Sequence, residues 1–255
     1  IFGHNDLKNK FSDFFLSLNT FKMKKSLFIF LVVFISFGLF VCLELGGCED
    51  EHNSKRSLVK ENEGFHAITI KNNLMDFSVS KEITDEYDFY INSNYFTPER
   101  KPTCGVIING KTENKQIKNV GGSFIVKNGK ADIVFDLMND VDYLSQTHIW
   151  LIKEGKINER VLNQNHAKKK FCRLLIGKNK NQDIVVIHSN KWNFITMREL
   201  TNFALNQGVT DAINLDSGPS IEVFLRDADY KYEMKSSPFK APSKNPVIYI
   251  TGKFK

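Results

Sequence analysis

The stretch TMRELTNFALNQGVTDAINLDSGPSIEVFL, residues 196–225, decides the fold. Its opening, Thr196-Met197-Arg198-Glu199, has the form of a capping box. The Thr hydroxyl and the Glu carboxylate each accept from a free backbone N–H at a helix start. Leu200, Phe203, Ala204 and Leu205 recur at helical spacing, and Gly208 is a natural stop, since glycine takes the left-handed conformation that ends a helix without steric cost. Ala212-Ile213-Asn214-Leu215 is short and mostly apolar, as an interior strand is. Asp216-Ser217-Gly218-Pro219-Ser220 breaks it, and Ile221-Glu222-Val223-Phe224-Leu225 resumes with strand alternation. The pattern thus sets a carboxylate, two hydroxyls, a glycine and a proline at the end of a buried strand, a rigid base of the kind that carries sites. Asp, Ser, Gly and Pro are also ordinary turn formers, so spacing alone leaves this corner as either a site or a turn.

Near the start, Met23-Lys24-Lys25 precedes an apolar run over residues 27–43, interrupted only by Ser36 and Gly38 and followed by Leu45-Gly46-Gly47-Cys48. A basic region, an apolar region and small residues before a cleavage point describe an export signal. The small pair before a cysteine resembles a bacterial lipobox, which makes Cys48 the expected lipidated residue and the membrane a partner through a lipid anchor. An uncleaved membrane span is the alternative. Either way the globular part is expected outside the cytoplasm. The domain reading is residues 1–22 unassigned, 23–47 signal, 48–64 a charged tether and 65–255 one domain.

The chain carries 35 basic and 29 acidic residues. Setting aside residues 1–47, with five Lys and three acidic residues, leaves 30 basic and 26 acidic, a surplus of four. That mild excess argues against a nucleic-acid binder, which needs a concentrated basic face. The densest cluster, Lys168-Lys169-Lys170 with Arg173, Lys178 and Lys180, reads as a solvated edge that also suits an anionic substrate.

Strand and turn signals fill the body. Asn109-Gly110 follows Val106-Ile107-Ile108, Asn128-Gly129 joins residues 123–127 to 131–135, and Glu154-Gly155 follows residues 149–153. Asn-Gly between apolar runs favours a type I′ hairpin, in which both central residues have positive φ. Residues 173–176, 183–188 and 247–250 add strands. One strong helix among many strands predicts α+β, a single domain with an extensive mixed or antiparallel sheet, hairpins and one or two packed helices. Cys104 and Cys172 either pair or are buried as apolar residues. No Cys/His spacing suggests zinc, and no cofactor is called for, although a divalent metal stays open.

Several segments carry a resemblance. Asn92-Ser93-Asn94-Tyr95-Phe96-Thr97-Pro98 with Lys101-Pro102, Gly105 and Asn109-Gly110-Lys111 is similar to the opening motif of the phosphodiester glycosidase family. Gly121-Gly122-Ser123-Phe124 before Asn128-Gly129, Gln146-Thr147 leading to Gly155-Lys156, Arg173 with Gly177, and Asn214-Leu215-Asp216 with Ser220 follow in the family's order. Ser217 stands where glycine is usual, Pro219 precedes Ser220, and Ile149 replaces a frequent proline. The resemblance implies hydrolysis of a sugar-1-phosphodiester or related envelope glycan into a sugar and a phosphomonoester. It implies Asp216 as the carboxylate at the anomeric centre and Arg173 as the phosphate-binding cation. Asn92, Gln146, Ser217, Gly218 and Ser220 are the implied substrate contacts. A non-catalytic lipoprotein that binds a glycan or anionic polymer in the same cleft is the competing expectation.

Overall fold

The runs at residues 173–176 and 183–188 become the middle of the largest sheet, because their side chains feed two cores in alternation. Leu174, Ile176, Ile184 and Val186 point into one cluster, and Leu175, Val185 and Ile187 into another. A strand buried on both faces reads as a continuous apolar run. The computed structural model describes residues 50–54, 56–62, 64–190, 193–228, 230–235 and 248–255. The export-type segment and Cys48 lie outside the described residues.

In chain order, β1 (Asp50–Asn53), β2 (Ser57–Asn62) and β3 (Phe65–Ile70) form a meander, followed by β4 (Met75–Ser80) and β5 (Phe89–Asn92). Then come β6 (Val106–Ile108), β7 (Lys111–Asn114), β8 (Gly122–Lys127) and β9 (Lys130–Val134). Next are β10 (Tyr143–Thr147), β11 (Trp150–Lys153) and β12 (Lys156–Ile157), with single helical turns α1 (Glu159–Leu162) and α2 (Asn165–Lys168) behind them. β13 (Leu174–Asn179) and β14 (Ile184–Ser189) lead to α3 (Met197–Asn206) and β15 (Val209–Asn214). β16 (Glu222–Asp227), β17 (Tyr230–Lys235) and β18 (Tyr249–Phe254) complete the described chain.

These strands make three sheets in the orders β1-β2-β3-β14-β13-β15-β11-β12, β7-β6-β10-β8-β9 and β17-β16-β5-β18-β4. The described strand pairs are antiparallel throughout, as in β13 with both β14 and β15. The inner faces of all three sheets meet in one core containing Ile68, Phe77, Phe89, Phe124, Leu174, Ile213 and Val223. α3 covers the opposite face of the first sheet through Met197, Leu200 and Ala204. Its capping box forms, with the Glu199 N–H donating to the Thr196 hydroxyl and the Thr196 N–H to the Glu199 carboxylate.

Two expectations need correction. The fold is predominantly antiparallel β with few helices, as one strong helix among many strands implies, but three sheets replace one extensive sheet. Residues 50–53 and 57–62, read as tether, are the edge strand β1 and its neighbour β2, which pairs with both β1 and β3. Their charged composition hid them because backbone bonds chiefly hold them, and in β2 only Ser57 and Val59 are buried. The hairpin reading holds at all three turns. Asn109, Asn128 and Glu154 take φ of 51°, 52° and 51°, each followed by a glycine with positive φ. Among the described residues no helix is long and apolar enough to cross a membrane.

A buried imidazole stitches the first sheet to the third. His188 on β14 donates from Nδ1 to the Ser189 carbonyl at 2.9 Å and accepts the Tyr232 hydroxyl of β17 at Nε2, also 2.9 Å. His66 on β3 stacks on His188 with ring centres 5.0 Å apart, and Glu61 of β2 lies 3.4 Å from His66 Nε2. Both ring nitrogens of His188 are committed in the neutral form, and burial followed by the neighbouring His66 pushes its pKa down to about 3. The unfolded chain takes up this proton below about 6.5, whereas the folded one resists it until about pH 3. The stabilising difference is therefore fully present at neutral pH and declines as pH falls through 6.5. Urea denaturation between pH 7 and 5 is expected to lose up to about 1.4 kcal/mol per pH unit from this group. In a His188→Leu/Tyr232→Phe double variant that slope should disappear.

Candidate functional site

β15 ends on Asn214, and the corner that follows is held by three backbone bonds to two other segments. The Leu215 N–H donates to Leu174 O at 3.1 Å, the Asp216 N–H to Ser93 O at 2.9 Å, and the Gly218 N–H to Cys172 O at 2.9 Å. The turn is completed by the Ser217 N–H on Asp216 Oδ1 at 3.0 Å and the Ser217 hydroxyl on Leu215 O at 3.0 Å. The corner is thus both a turn and a meeting place for segments after β5, before β13 and after β15. Ser217 has φ −121°, ordinary extended backbone, so its Cβ replaces a glycine without strain. The positive φ falls one residue later, at Gly218, with 71°.

Several residues expected at the substrate prove to hold the scaffold. Asn92, at the end of β5 and fully buried, donates from Nδ2 to Asp216 O at 2.7 Å and accepts the Glu222 N–H at Oδ1 at 2.9 Å. Gln146 on β10 accepts the Gly105 and Ile117 N–H groups at 3.1 and 2.8 Å and donates to Ile117 O at 2.8 Å. Both amides therefore engage backbone, not an open cleft. The N–H groups of Ser217 and Gly218 are likewise used internally, while Ser220 lies nearly buried at the end of a 3-10 turn. A buried amide at a strand end looks the same in sequence whether it binds backbone or ligand.

Arg173, just before β13, is also buried. Its Nη2 donates to His166 O at 2.9 Å and Lys169 O at 2.6 Å, and its Nε to Ile195 O at 3.4 Å. The guanidinium satisfies carbonyls around the end of α2 and is fixed as a charge rather than extended as a two-pronged fork. Burial lowers its pKa, and Tyr95 opposes the change.

Tyr95 is the residue on which the two charges converge. Burial raises the pKa of its phenol first, then the Asp216 carboxylate raises it further, while Arg173 and the Asn214 amide pull it back. Asn214 Nδ2 donates to the Tyr95 hydroxyl and also to Leu215 O, at 2.7 Å for the latter. That leaves the phenolic proton available to a further acceptor. Asn214 Oδ1 is buried with no hydrogen-bond partner among the described residues, the kind of orphan acceptor that calls for explanation. His148 lies beside Tyr95 with ring centres 6.3 Å apart and contacts the Thr103 hydroxyl at 3.1 Å.

Tyr95 and Asn214 stand within the sequence motifs, but spacing gives neither a role. Period and spacing do not reveal which aromatic ring is half-buried between a carboxylate and a guanidinium. Cys104 and Cys172 are buried thiols with no disulfide between them, and burial pushes Cys104 up to about 11. Among the described residues no group of three His, Cys, Asp or Glu side chains is placed to hold a metal ion. Surface cavities of about 380, 350 and 720 Å³ lie elsewhere, the largest of these lined by Asn72, Lys127, Asp132 and Gln182.

Three antiparallel sheets around a shared core, with a polar corner after a central strand, have counterparts among solved structures. The catalytic domain of zebrafish N-acetylglucosamine-1-phosphodiester α-N-acetylglucosaminidase, auto-inhibited by its pro-peptide, aligns over 81% of this chain and 81% of its own, with TM-score 0.57 and 15% identity. A hypothetical protein from Synechocystis aligns over 81% of this chain and 61% of its own, with TM-score 0.55 and 11% identity. At these identities the likeness is one of fold. A search of curated sequences finds no match. The phosphodiester glycosidase family model matches residues 85–250, and the chain belongs to that family. The match covers Asn92, Tyr95, Arg173 and Asp216 together.

Replacing Asn92 by Ala leaves the Asp216 carbonyl and the Glu222 N–H without their side-chain partner. Stability in urea should drop by about 2–3 kcal/mol, whereas a side chain acting only on substrate would leave the midpoint unchanged.

Proposed function

We propose that the protein hydrolyses the glycosidic C–O bond of a sugar-1-phosphodiester outside the cytoplasm, held at the membrane by a lipid on Cys48. Membership of the family supports hydrolysis of phosphodiester-linked sugars. The observation that carries the reading onto this chain is the convergence of Asp216, Arg173 and Asn214 on Tyr95, across 119 residues between Asn214 and Tyr95. In this scheme the Asp216 carboxylate faces the anomeric carbon and stabilises positive charge there as the bond to phosphate lengthens. A water oxygen bonds to that carbon and gives up a proton to solvent or to the carboxylate. The electron pair of the broken bond stays on the phosphate oxygen, and a phosphomonoester departs.

Phosphate is a competent leaving group, so no separate general acid is required. The fixed charge of Arg173 offsets the developing negative charge, and the Tyr95 hydroxyl donates a hydrogen bond to it. Asn214 positions Tyr95, and Asn92 positions Asp216 through its carbonyl. The competing reading, a glycan-binding module without turnover, draws support from the engagement of the Arg173 guanidinium by three carbonyls.

The test is release of reducing sugar and phosphomonoester from a sugar-1-phosphate methyl diester. Asp216→Asn should reduce turnover by about 10²-fold or more, and Tyr95→Phe by about 10²-fold. Neither should shift the thermal transition much, since the backbone bonds of the corner persist. An Asp216→Asn protein with normal turnover refutes the assignment, and saturable binding without turnover by the unaltered protein establishes the binding module.

A further inference from the structure

Next to the candidate site, the chain from α2 to β13 carries a patch that the reaction scheme leaves unused. Lys168, Lys169 and Lys170 are all exposed, and Phe171 follows them with 45% of its surface open to solvent. Phe171 forms a two-way backbone bridge with Ile195, N to O 3.0 and 2.9 Å, and the residue before Ile195 is Phe194, 52% exposed. Of the large apolar side chains left exposed among the described residues, these are the aromatic ones.

The patch is coupled to the site through covalent neighbours. Cys172, between Phe171 and Arg173, accepts the Gly218 N–H, and the Arg173 guanidinium lies over the Phe171 ring at 5.3 Å while bonding the Lys169 carbonyl. From Cys172 back to Lys168 is at most about 14 Å of chain. Nearby carboxylates are already occupied. Glu199 closes the α3 capping box with Lys170 near it, and Glu159 is held bidentately by Arg198 at 3.0 and 2.7 Å. Among the described residues Lys168 and Lys169 make no salt bridge. Three exposed ammonium groups, two of them outside any salt bridge among the described residues, beside open aromatic rings and one chain segment from a sugar-phosphate site, match a ligand that repeats both sugar and phosphate. The rings offer apolar faces for the C–H side of a sugar, and the ammonium groups meet phosphates as point charges.

We propose that residues 168–171 form an extended subsite for a poly(glycosyl phosphate), so that the substrate is a repeating sugar-phosphate chain whose next phosphates, on the side away from the bond being cut, lie along Lys168–Lys170. This inference rests on the proposed function for its reaction, but its binding arm stands apart. A polymer of sugar-1-phosphate units should bind the Asp216→Asn protein more tightly than a single-unit methyl diester does, with affinity falling as salt rises. Lys168→Ala/Lys170→Ala should weaken polymer binding about tenfold and flatten the salt dependence. Phe171→Ala should weaken it at every salt concentration. In the unaltered background the lysine pair should lower kcat/KM for the polymer while leaving the single-unit substrate unchanged.

Polymer binding no tighter than the single unit, or insensitive to the lysine pair, overturns the subsite while leaving the hydrolase reading intact. Charge-dependent polymer binding without turnover of either substrate sustains the subsite and overturns the hydrolase. Lysine-dependent binding to phosphatidylglycerol vesicles without polymer binding also overturns it, since the patch then serves a lipid surface.

Discussion

A single buried amide sets the geometry on which the rest of the molecule depends. Asn92 closes the end of β5 and reaches both sides of the corner at Asp216, accepting from Glu222 and donating to the Asp216 carbonyl. It thereby ties the start of β16 in the third sheet to the corner after β15 in the first. Buried polar groups carry high stakes of this kind, because each missing partner costs the full desolvation of the group left behind. The Ser93–Ser145 and Asn94–Gln146 contacts extend the same logic toward the second sheet. The opening motif of residues 92–95 is therefore chiefly a joint between sheets, and only its last member, Tyr95, faces the charges.

Much of the fold could be read from local signals. The capping box at Thr196, the hairpin turns at Asn109, Asn128 and Glu154, and the helix stop at Gly208 are short-range matters of backbone chemistry, and each forms as its sequence dictates. What local signals could not reveal was the division into three sheets, since β5 pairs with β16 and β18, which lie far along the chain. Strands β1 and β2 escaped notice for a different reason. Their side chains are mostly polar and in β2 only two are buried, so hydrophobic periodicity is weak there.

The candidate site was legible in its location and less so in its division of labour. Asp216 and Arg173 were singled out, and both influence the same phenol. The amides are engaged with backbone, and the corner N–H groups with the Asp216 carboxylate and the Cys172 carbonyl. Which polar residue serves the scaffold and which serves the ligand depends on orientation, and a residue's identity and position along the chain carry no information about that. Tyr95 illustrates the converse, because its surroundings, not its type, make it notable. Its phenol is raised by burial and by a carboxylate while a guanidinium opposes the change, a combination typical of functional sites.

β13 feeds one core with Leu174 and Ile176 and the other with Leu175. Its first neighbour, Arg173, sits under α2 with three carbonyls around it. Sliding this strand by a single residue would exchange the contents of both cores and carry the guanidinium to the wrong side of the sheet. The position of the positive charge is consequently set by hydrophobic shape as well as by its three carbonyl partners. Drift in the amino acids of either core is constrained to keep that alignment, so the chemistry at one edge is inherited from packing in the interior.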